Sequence, residues 1–545
     1  MRKRLLTLLL TVFFPAHLPA VAGPRSEAVD PGQYGQVFYV DGRSGDDVVG
    51  DGSQSKPWAS IIHALEHSGF ATSNHRVALL VSRGRYLQPT FVLRPHVDLY
   101  GGYASPGGER DVYAYASVLD GNGDRRIVFG ADRARLDGFH LVDARIRGKG
   151  AALHCDGVSP TISNCIFVNN RTLIPDPWDP PLIHETGNDG GAVMILNGAK
   201  PEIAHNYFFN NSTECGRGGA LAVDIGANPV VRNNVFANNR AGLDDPMRSS
   251  DGGAVSWFDG SGGEFSGNVV VANSSLADND AGGVFVALWA DPVVSSNVFV
   301  DNYSDDDAGG LFIGGQEHRY DAPLDPYPPI DRFNVLVKDN VFVGNRNSVD
   351  NSGAMRITME SRAHFVGNVI AENKGGMYLQ RSEIIAENNT VWQDWKFLED
   401  KESLGPSYFS GNVLKGPVGP IEARVTFEGN MVETSVGDGS RIPVADIFLD
   451  DALSGEILSL SFNSQTYSTV LKTAEPLPSD LAGRPVRLSE DHEDGQYRVI
   501  KTSGGRQMEV WGAVKATTVG VNAFDVIRTF TLQEDAPKGV GAGSL

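Results

Sequence analysis

Cysteine is nearly absent: Cys155, Cys165 and Cys215 are the only three in 545 residues, too few to staple so long a chain. Cys155 and Cys165 fall at repeat positions otherwise held by Leu196 and by an asparagine, so they read as small buried thiols, with a single bridge left open. There is no CxxC, no HExxH and no zinc-ligand spacing, which removes the zinc readings. Long apolar runs are missing too. The run at residues 5–14 is too short to span a bilayer. It follows Met1-Arg2-Lys3-Arg4 and precedes the small-residue site Ala20-Val21-Ala22, the pattern of a signal peptide over 1–22. The chain is therefore expected to be secreted or periplasmic, without membrane insertion. Basic charge is short as well. With 46 Lys and Arg against 67 Asp and Glu the net charge is −21, which argues against a nucleic-acid or anionic-membrane partner drawn by bulk attraction. An anionic polymer would need a local basic groove or a bridging cation.

Asparagine and glycine, by contrast, are arranged in a repeat over roughly residues 150–430. Asn206, Asn234, Asn268, Asn297, Asn340, Asn368, Asn389, Asn412 and Asn430 form one column, opened by Cys165. Two residues after each stands an apolar side chain such as Phe208, Phe236 or Phe299, and five residues after stand Asn170, Asn211, Asn239, Asn273, Asn302, Asn345 and Asn373. The local pattern survives while the spacing between copies varies, so the excess chain must leave as loops between fixed strands, as in a solenoid. An Asn two residues from an apolar side chain shares its face in an extended strand. Buried, it needs donors and acceptors, and like Asn stacked on like Asn supplies them. Gly-Gly-apolar strings at Gly190-Gly191, Gly218-Gly219, Gly252-Gly253, Gly282-Gly283, Gly309-Gly310 and Gly375-Gly376 lead into a further strand per coil.

The Asn ladder, the paired glycines and the opening Val40-Asp41-Gly42, Asp51-Gly52 and Pro57-Trp58-Ala59-Ser60-Ile61 resemble secreted right-handed parallel β-helix proteins of the pectate-lyase-like superfamily. The resemblance implies an all-β fold over 37–435. It leaves activity open, because that superfamily holds polysaccharide lyases, glycoside hydrolases, epimerases, esterases and non-enzymatic surface proteins. No stretch matches one family's catalytic motif. A flexible lead is expected at 23–36, a short amphipathic helix at 55–69 capping the open end of the coil, an antiparallel β-sandwich or barrel at 440–533 packed on the last coil, and a disordered tail at 534–545.

Chemistry belongs on the loops that vary while the strands do not. Stacked at about 4.8 Å per coil, these loops build one edge. Its first loop carries Arg145, Arg147 and Lys149, and later ones carry Asp244, Asp245, Asp251, Asp278, Asp280, Asp305, Asp306 and Asp307. The expected ligand is a polysaccharide. Arg145, Arg147 and Trp178 are candidates to bind it, and Asp251, Asp280 and Asp307 to hold Ca²⁺. Lys149, His184 and Arg217 are candidate proton-abstracting groups for elimination from a uronate. A hydrolase would instead use two of Asp189, Glu214, Asp244 and Asp251. Trp257 fits a sugar platform or the core equally. Asp beside Gly is also an ordinary turn residue, and a non-catalytic surface protein for adhesion, glycan binding or scaffolding remains the alternative; a monomer is expected under either reading.

Overall fold

The computed structural model describes the chain except residues 1–21, 176–186, 243–249, 277–279, 316–334, 350–351, 393–397, 402–405, 416–424, 433–439, 442–452, 490–494, 516–520 and 528–545. Short strands recur in every coil and stack in four parallel sheets. The first, of 14 strands, runs from Gln36–Val40 to Val425–Glu428, and the second, also of 14, from Gly84–Tyr86 to Ser440–Arg441. A third of 11 strands runs from Phe91–Val92 to Leu398–Lys401, and a fourth of seven from Arg145–Arg147 to Arg346–Asn347. The strands Leu453–Asn463, Ser468–Leu477, Pro485–Ser489, Gly495–Trp511 and Ala523–Val526 close an antiparallel barrel.

Both asparagine columns lie inside the coil. Asn268 is typical: its Oδ1 accepts from the Asn234 backbone N–H at 2.9 Å and from Asn234 Nδ2 at 3.0 Å, while its own Nδ2 donates to Val231 O at 3.0 Å and to Asn297 Oδ1 at 3.0 Å. Each amide thus bonds the corner of its own coil to the next, and no ladder Asn from Asn206 to Asn430 is more than 4% exposed. The residue before each ladder Asn adopts a left-handed backbone, including Asn233, Gly267, Ser296 and Asp339 in the first column and Asn238, Ala272 and Asp301 in the second. That turn aims the following amide inward. The apolar residue two positions on fills the core, where Phe167, Phe208 and Phe236 stack with ring centroids 4.6 and 4.7 Å apart. Trp257 is core rather than platform: it is fully buried and donates its indole N–H to Gly262 O at 3.0 Å. All three cysteines are buried. Burial pushes the Cys155 and Cys165 thiols up to about 12.

Three expectations change in detail. The N-terminal helix is only Ile61–His67, N-capped by Ser60 and burying Ile61, Ala64 and Leu65. The described part of the lead lies along the coil: the Gly23 N–H donates to Asn233 O at 2.8 Å and the Arg25 N–H to Asn164 Oδ1 at 3.0 Å, both acceptors belonging to residues with left-handed backbone. The barrel does not sit on the last coil. It folds back along the flank, where Trp511 and Val499 pack over the outer face of the second sheet with Val235, Val269 and Val298. Strands such as Val269–Val271 are apolar on both faces, and the outer face needs a cover. Tyr207 Oη donates to Tyr467 O at 2.6 Å, Tyr497 Oη reaches Glu372 at 2.8 Å, and Arg498 pairs with Asp301 at 2.8 Å. The described residues contain no helix long and apolar enough to cross a membrane.

Candidate functional site

Where the chain leaves the seven-stranded sheet and turns into the third sheet, one residue per coil stands just before the close approach of successive backbones. Its register is set by backbone bonds from Gly150 N to Asp189 O, Gly190 N to Arg217 O, Gly218 N to Asp251 O, Gly252 N to Asp280 O and Ala281 N to Asp307 O, all 2.8–3.0 Å. Lys149, Asp189, Arg217, Asp251, Asp280 and Asp307 therefore form one column. Glycine is required behind it: a Cβ on Gly191 would lie 2.0 Å from Gly219 O, and one on Gly253 would lie 2.3 Å from Gly282 O.

The aspartates repeat the logic of the asparagines. Asp189 Oδ1 accepts from the Arg217 N–H at 2.9 Å, Asp251 Oδ1 from the Asp280 N–H at 3.1 Å, and Asp280 Oδ1 from the Asp307 N–H at 3.4 Å. At the head of the column Lys149 Nζ lies 2.9 Å from Asp189 Oδ2 and 3.5 Å from Asp224 Oδ2. The charge of Asp189 holds the ammonium above its ordinary range, outweighing burial, with Asp224 adding to it. That opposes the role of Lys149 as a proton-abstracting base, since a lysine so held keeps its proton. The Arg217 guanidinium sits 4.0 Å from the centre of the Phe258 ring. Phe258, Phe285 and Phe312 stack with centroids 5.2 and 4.6 Å apart on the neighbouring positions of the third sheet.

Further along, oxygens of Asp280, Asp306 and Asp307 all lie within 4.8 Å of one another. Arg356 hydrogen-bonds to Asp307, reaches Gln380 Oε1 at 2.7 Å and lies 4.7 Å over the Tyr378 ring. The residue Asp280 is partly accessible, yet its carboxyl is enclosed. Burial raises its pKa well above 3.8, and the charges of Asp251, Asp307 and Asp306 push the same way against Arg356. In the unfolded chain this group ionises near its ordinary value; between that value and the raised one the unfolded state releases a proton that the folded state retains. Its contribution to stability is therefore present below pH 3.8 and falls as pH rises through the folded pKa. Asp280→Asn should raise the Tm at neutral pH, and the gain should vanish in acid below the ordinary carboxyl range. Melting curves of both proteins across pH check this.

Among the residues named from sequence, Lys149, Arg217, Asp251, Asp280 and Asp307 come together in the column, with Asp189. Arg145 and Arg147 do not join them. They lie in the strand Arg145–Arg147 of the seven-stranded sheet, where Arg145 pairs in register with Arg171 and Arg147 Nη1 donates to Ile174 O at 2.6 Å. Glu214 accepts from the Ile174 N–H at 2.9 Å. Trp178, His184, Asp244, Asp245 and Asp278 lie outside the described residues. Asp224 and Arg356 were missed because they sit on or beside third-sheet strands rather than in loops. The alternation Met355-Arg356-Ile357, with Met355 and Ile357 buried, was the available signal.

Solved structures with similar backbones include the GH136 lacto-N-biosidase from Eubacterium ramulus, at 11% identity over 73% of this chain and 68% of that one with a TM-score of 0.32. The tailspike of Pseudomonas phage phi297 matches at 11% identity over 83% and 67% with a TM-score of 0.21, and the Dettilon tailspike protein at 11% over 91% and 95% with a TM-score of 0.25. Superposition is low in all three, and no feature of them is carried to this chain. No curated protein matches the sequence significantly. Residues 127–321 match the family model of the right handed beta helix region, and together with the parallel stacking of the sheets this makes the chain a right-handed parallel β-helix protein with an antiparallel barrel on its flank.

Proposed function

We propose that the charged column seats a polysaccharide and that the chain hydrolyses it, with Asp280 as the proton donor. The observation that carries this reading is the group Asp280, Asp306 and Asp307, whose oxygens lie within 4.8 Å of one another, with burial and the neighbouring carboxylates raising the pKa of Asp280 above its ordinary value. Pairs of acids whose surroundings differ are the usual source of separate acid and base roles. Asp307, with Arg356 as its counter-ion, is the partner. In the step proposed, Asp280 gives its proton to the glycosidic oxygen while an Asp307 oxygen bonds to the anomeric carbon and the leaving sugar departs. Water then adds to that carbon, Asp280 takes its proton, and the Asp307 carboxylate is restored. The short spacing of the carboxylates favours this retaining order over an inverting one. Elimination, the other chemistry read from the sequence, fits less well, since the charge of Asp189 raises the pKa of Lys149 and a guanidinium such as that of Arg217 does not act as a base. A polymer of this kind is met outside the cytoplasm, in keeping with the export signal read at residues 1–22.

The test is incubation with uronate polymers and neutral glycans, following reducing ends and the absorbance of unsaturated products together. Hydrolysis gives new reducing ends without that absorbance, and Asp280→Asn and Asp307→Asn should each lower kcat by about 10²–10⁴-fold. A rise in absorbance overturns the hydrolytic reading. Binding without any product leaves the non-catalytic surface protein.

A second reading rests on the close oxygens of Asp280, Asp306 and Asp307. Oxygens on a Ca²⁺ at 2.3–2.6 Å lie no more than about 5 Å apart, so this donor set fits a hard cation, which would supply charge for an acidic sugar. Calcium should then raise the Tm of the protein and not that of Asp306→Asn. Equal shifts in both would rule the cation out.

A further inference from the structure

A second opening lies away from the column, between the barrel and the seven-stranded sheet. It is a cavity of about 880 Å³, within the range of pockets that take drug-sized ligands and larger than a lone inorganic anion requires. The coil side is lined by Arg240, Ser274, Tyr303 and Arg346, which occupy one register position of successive strands and so point the same way. Arg498 and Lys515 line the barrel side. Among the described lining residues Arg240, Arg346, Arg498 and Lys515 are cationic and Asp301 alone is acidic. In a chain of net charge −21 the described part of this lining is cationic on balance.

The single carboxylate is already matched. Asp301 Oδ2 accepts from Arg498 at 2.8 Å, and its other oxygen lies 3.6 Å from Arg346 Nε. Arg498 is fully committed to the joint between barrel and coil, since it also donates to the carbonyls of Ala513 and Tyr497. Positive charge in excess of Asp301 remains at the rim. The side chain of Arg346 is 52% exposed and lies 5.1 Å over the Tyr303 ring, which limits where its guanidinium can go. Lys515 is exposed. The hydroxyls of Ser274 and Tyr303 stand between these cations, and Leu276, Leu488 and Val521 give the rest of the lining an apolar surface on which a sugar ring can rest. A guanidinium fork matches a carboxylate or sulfate in the plane, and a flexible ammonium completes it. Polyphosphate is a poorer match, because a long nucleic acid would meet the negative charge of the rest of the surface.

We propose that this cleft binds an acidic sugar unit, a carboxylate- or sulfate-bearing segment of a polysaccharide, with Arg346 and Lys515 on the anion and the Ser274 and Tyr303 hydroxyls on the ring. The assignment is independent of hydrolysis at the Asp280 column, because it uses a different face and different residues. It makes the junction of barrel and coil a binding element as well as a structural one.

Calorimetric titration of the full chain tests it, using a galacturonate hexamer, a sulfated oligosaccharide, a neutral oligosaccharide of equal length, inorganic sulfate and a short DNA duplex. One or both acidic saccharides should bind, more weakly at high salt, and the neutral one should not. Arg346→Gln and Lys515→Gln should each weaken binding about tenfold, the loss of one charged hydrogen bond; the melting temperature should hold in Lys515→Gln, whose side chain is exposed, and fall in Arg346→Gln, which also removes a charge facing Asp301. Asp280→Asn should leave the affinity as it was even if it abolishes product formation, which separates this site from the column. Unchanged affinity in both rim variants overturns the proposal. So does binding of sulfate ion, the neutral oligosaccharide or DNA as tightly as the acidic saccharides. Which acidic probe binds identifies the anion.

Discussion

Asn268→Leu should open the middle of the coil by about 3–5 kcal/mol, the largest effect expected of any single substitution in the ladder. The side chain is fully buried and makes four hydrogen bonds. Its loss leaves the Asn234 N–H and the Val231 carbonyl facing leucine methyls, and reduces Asn234 Nδ2 to its bond with Ile203 O and Asn297 Oδ1 to its bond from the residue 268 N–H. Each abandoned buried group costs roughly 1–3 kcal/mol, partly recovered by the apolar gain. A solenoid of this length does not unfold in one step, so hydrogen exchange is the better gauge than a global melt. Amides of the strands Val235–Ala237 and Val269–Val271 should exchange about 10²–10⁴ times faster, and amides of the first coils should not change. An acceleration below tenfold would mean that the amides fill space rather than hold the coils together.

Arg498→Met should release the barrel from the flank, at a cost of about 3–5 kcal/mol, the range for breaking a buried pair from one side. Arg498 and Asp301 are both buried. Desolvation lowers the pKa of the first and raises that of the second, so each is kept charged by the other against burial. Removing the guanidinium leaves Asp301 with the Tyr497 backbone N–H and with Arg346 at 3.6 Å, and strands the Ala513 and Tyr497 carbonyls. Trp511, 5% exposed against Tyr207, is the reporter. Its fluorescence should shift to the red in Arg498→Met, and much less in the double variant with Asp301→Leu, where no charge is left buried. Equal shifts in single and double variants would place the docking energy in the apolar contact alone.

The ladder was legible because its signal is local. An Asn with an apolar residue two positions on states both the strand and its inward face, and the wandering spacing states that loops absorb the difference. The column was legible for a related reason: Asp251, Asp280 and Asp307 precede the glycines that close contact between coils demands, and Lys149 and Arg217 hold the same place in earlier coils. Grouping whole loops was too coarse. Arg145 and Lys149 are four residues apart but lie on either side of a bend, so they belong to different columns facing different neighbours. Asp224 and Arg356 enter the site from strands, where a charged residue between apolar ones marks the outward face and says nothing of what it meets. The position of the barrel depends on two surfaces remote in sequence, and only the double-sided apolar strands of the second sheet hinted that something had to cover them.

The most direct measurement is the crystal structure of Asp280→Asn, which keeps the shape of the site and removes its proton donor, soaked with whichever oligosaccharide the protein cleaves. The sugar should run along the column between Lys149 and Arg356, with a glycosidic oxygen within hydrogen-bond reach of the residue 280 side chain. A bound sugar lying only elsewhere, or seated with its glycosidic oxygens remote from residues 280 and 307, would contradict the account.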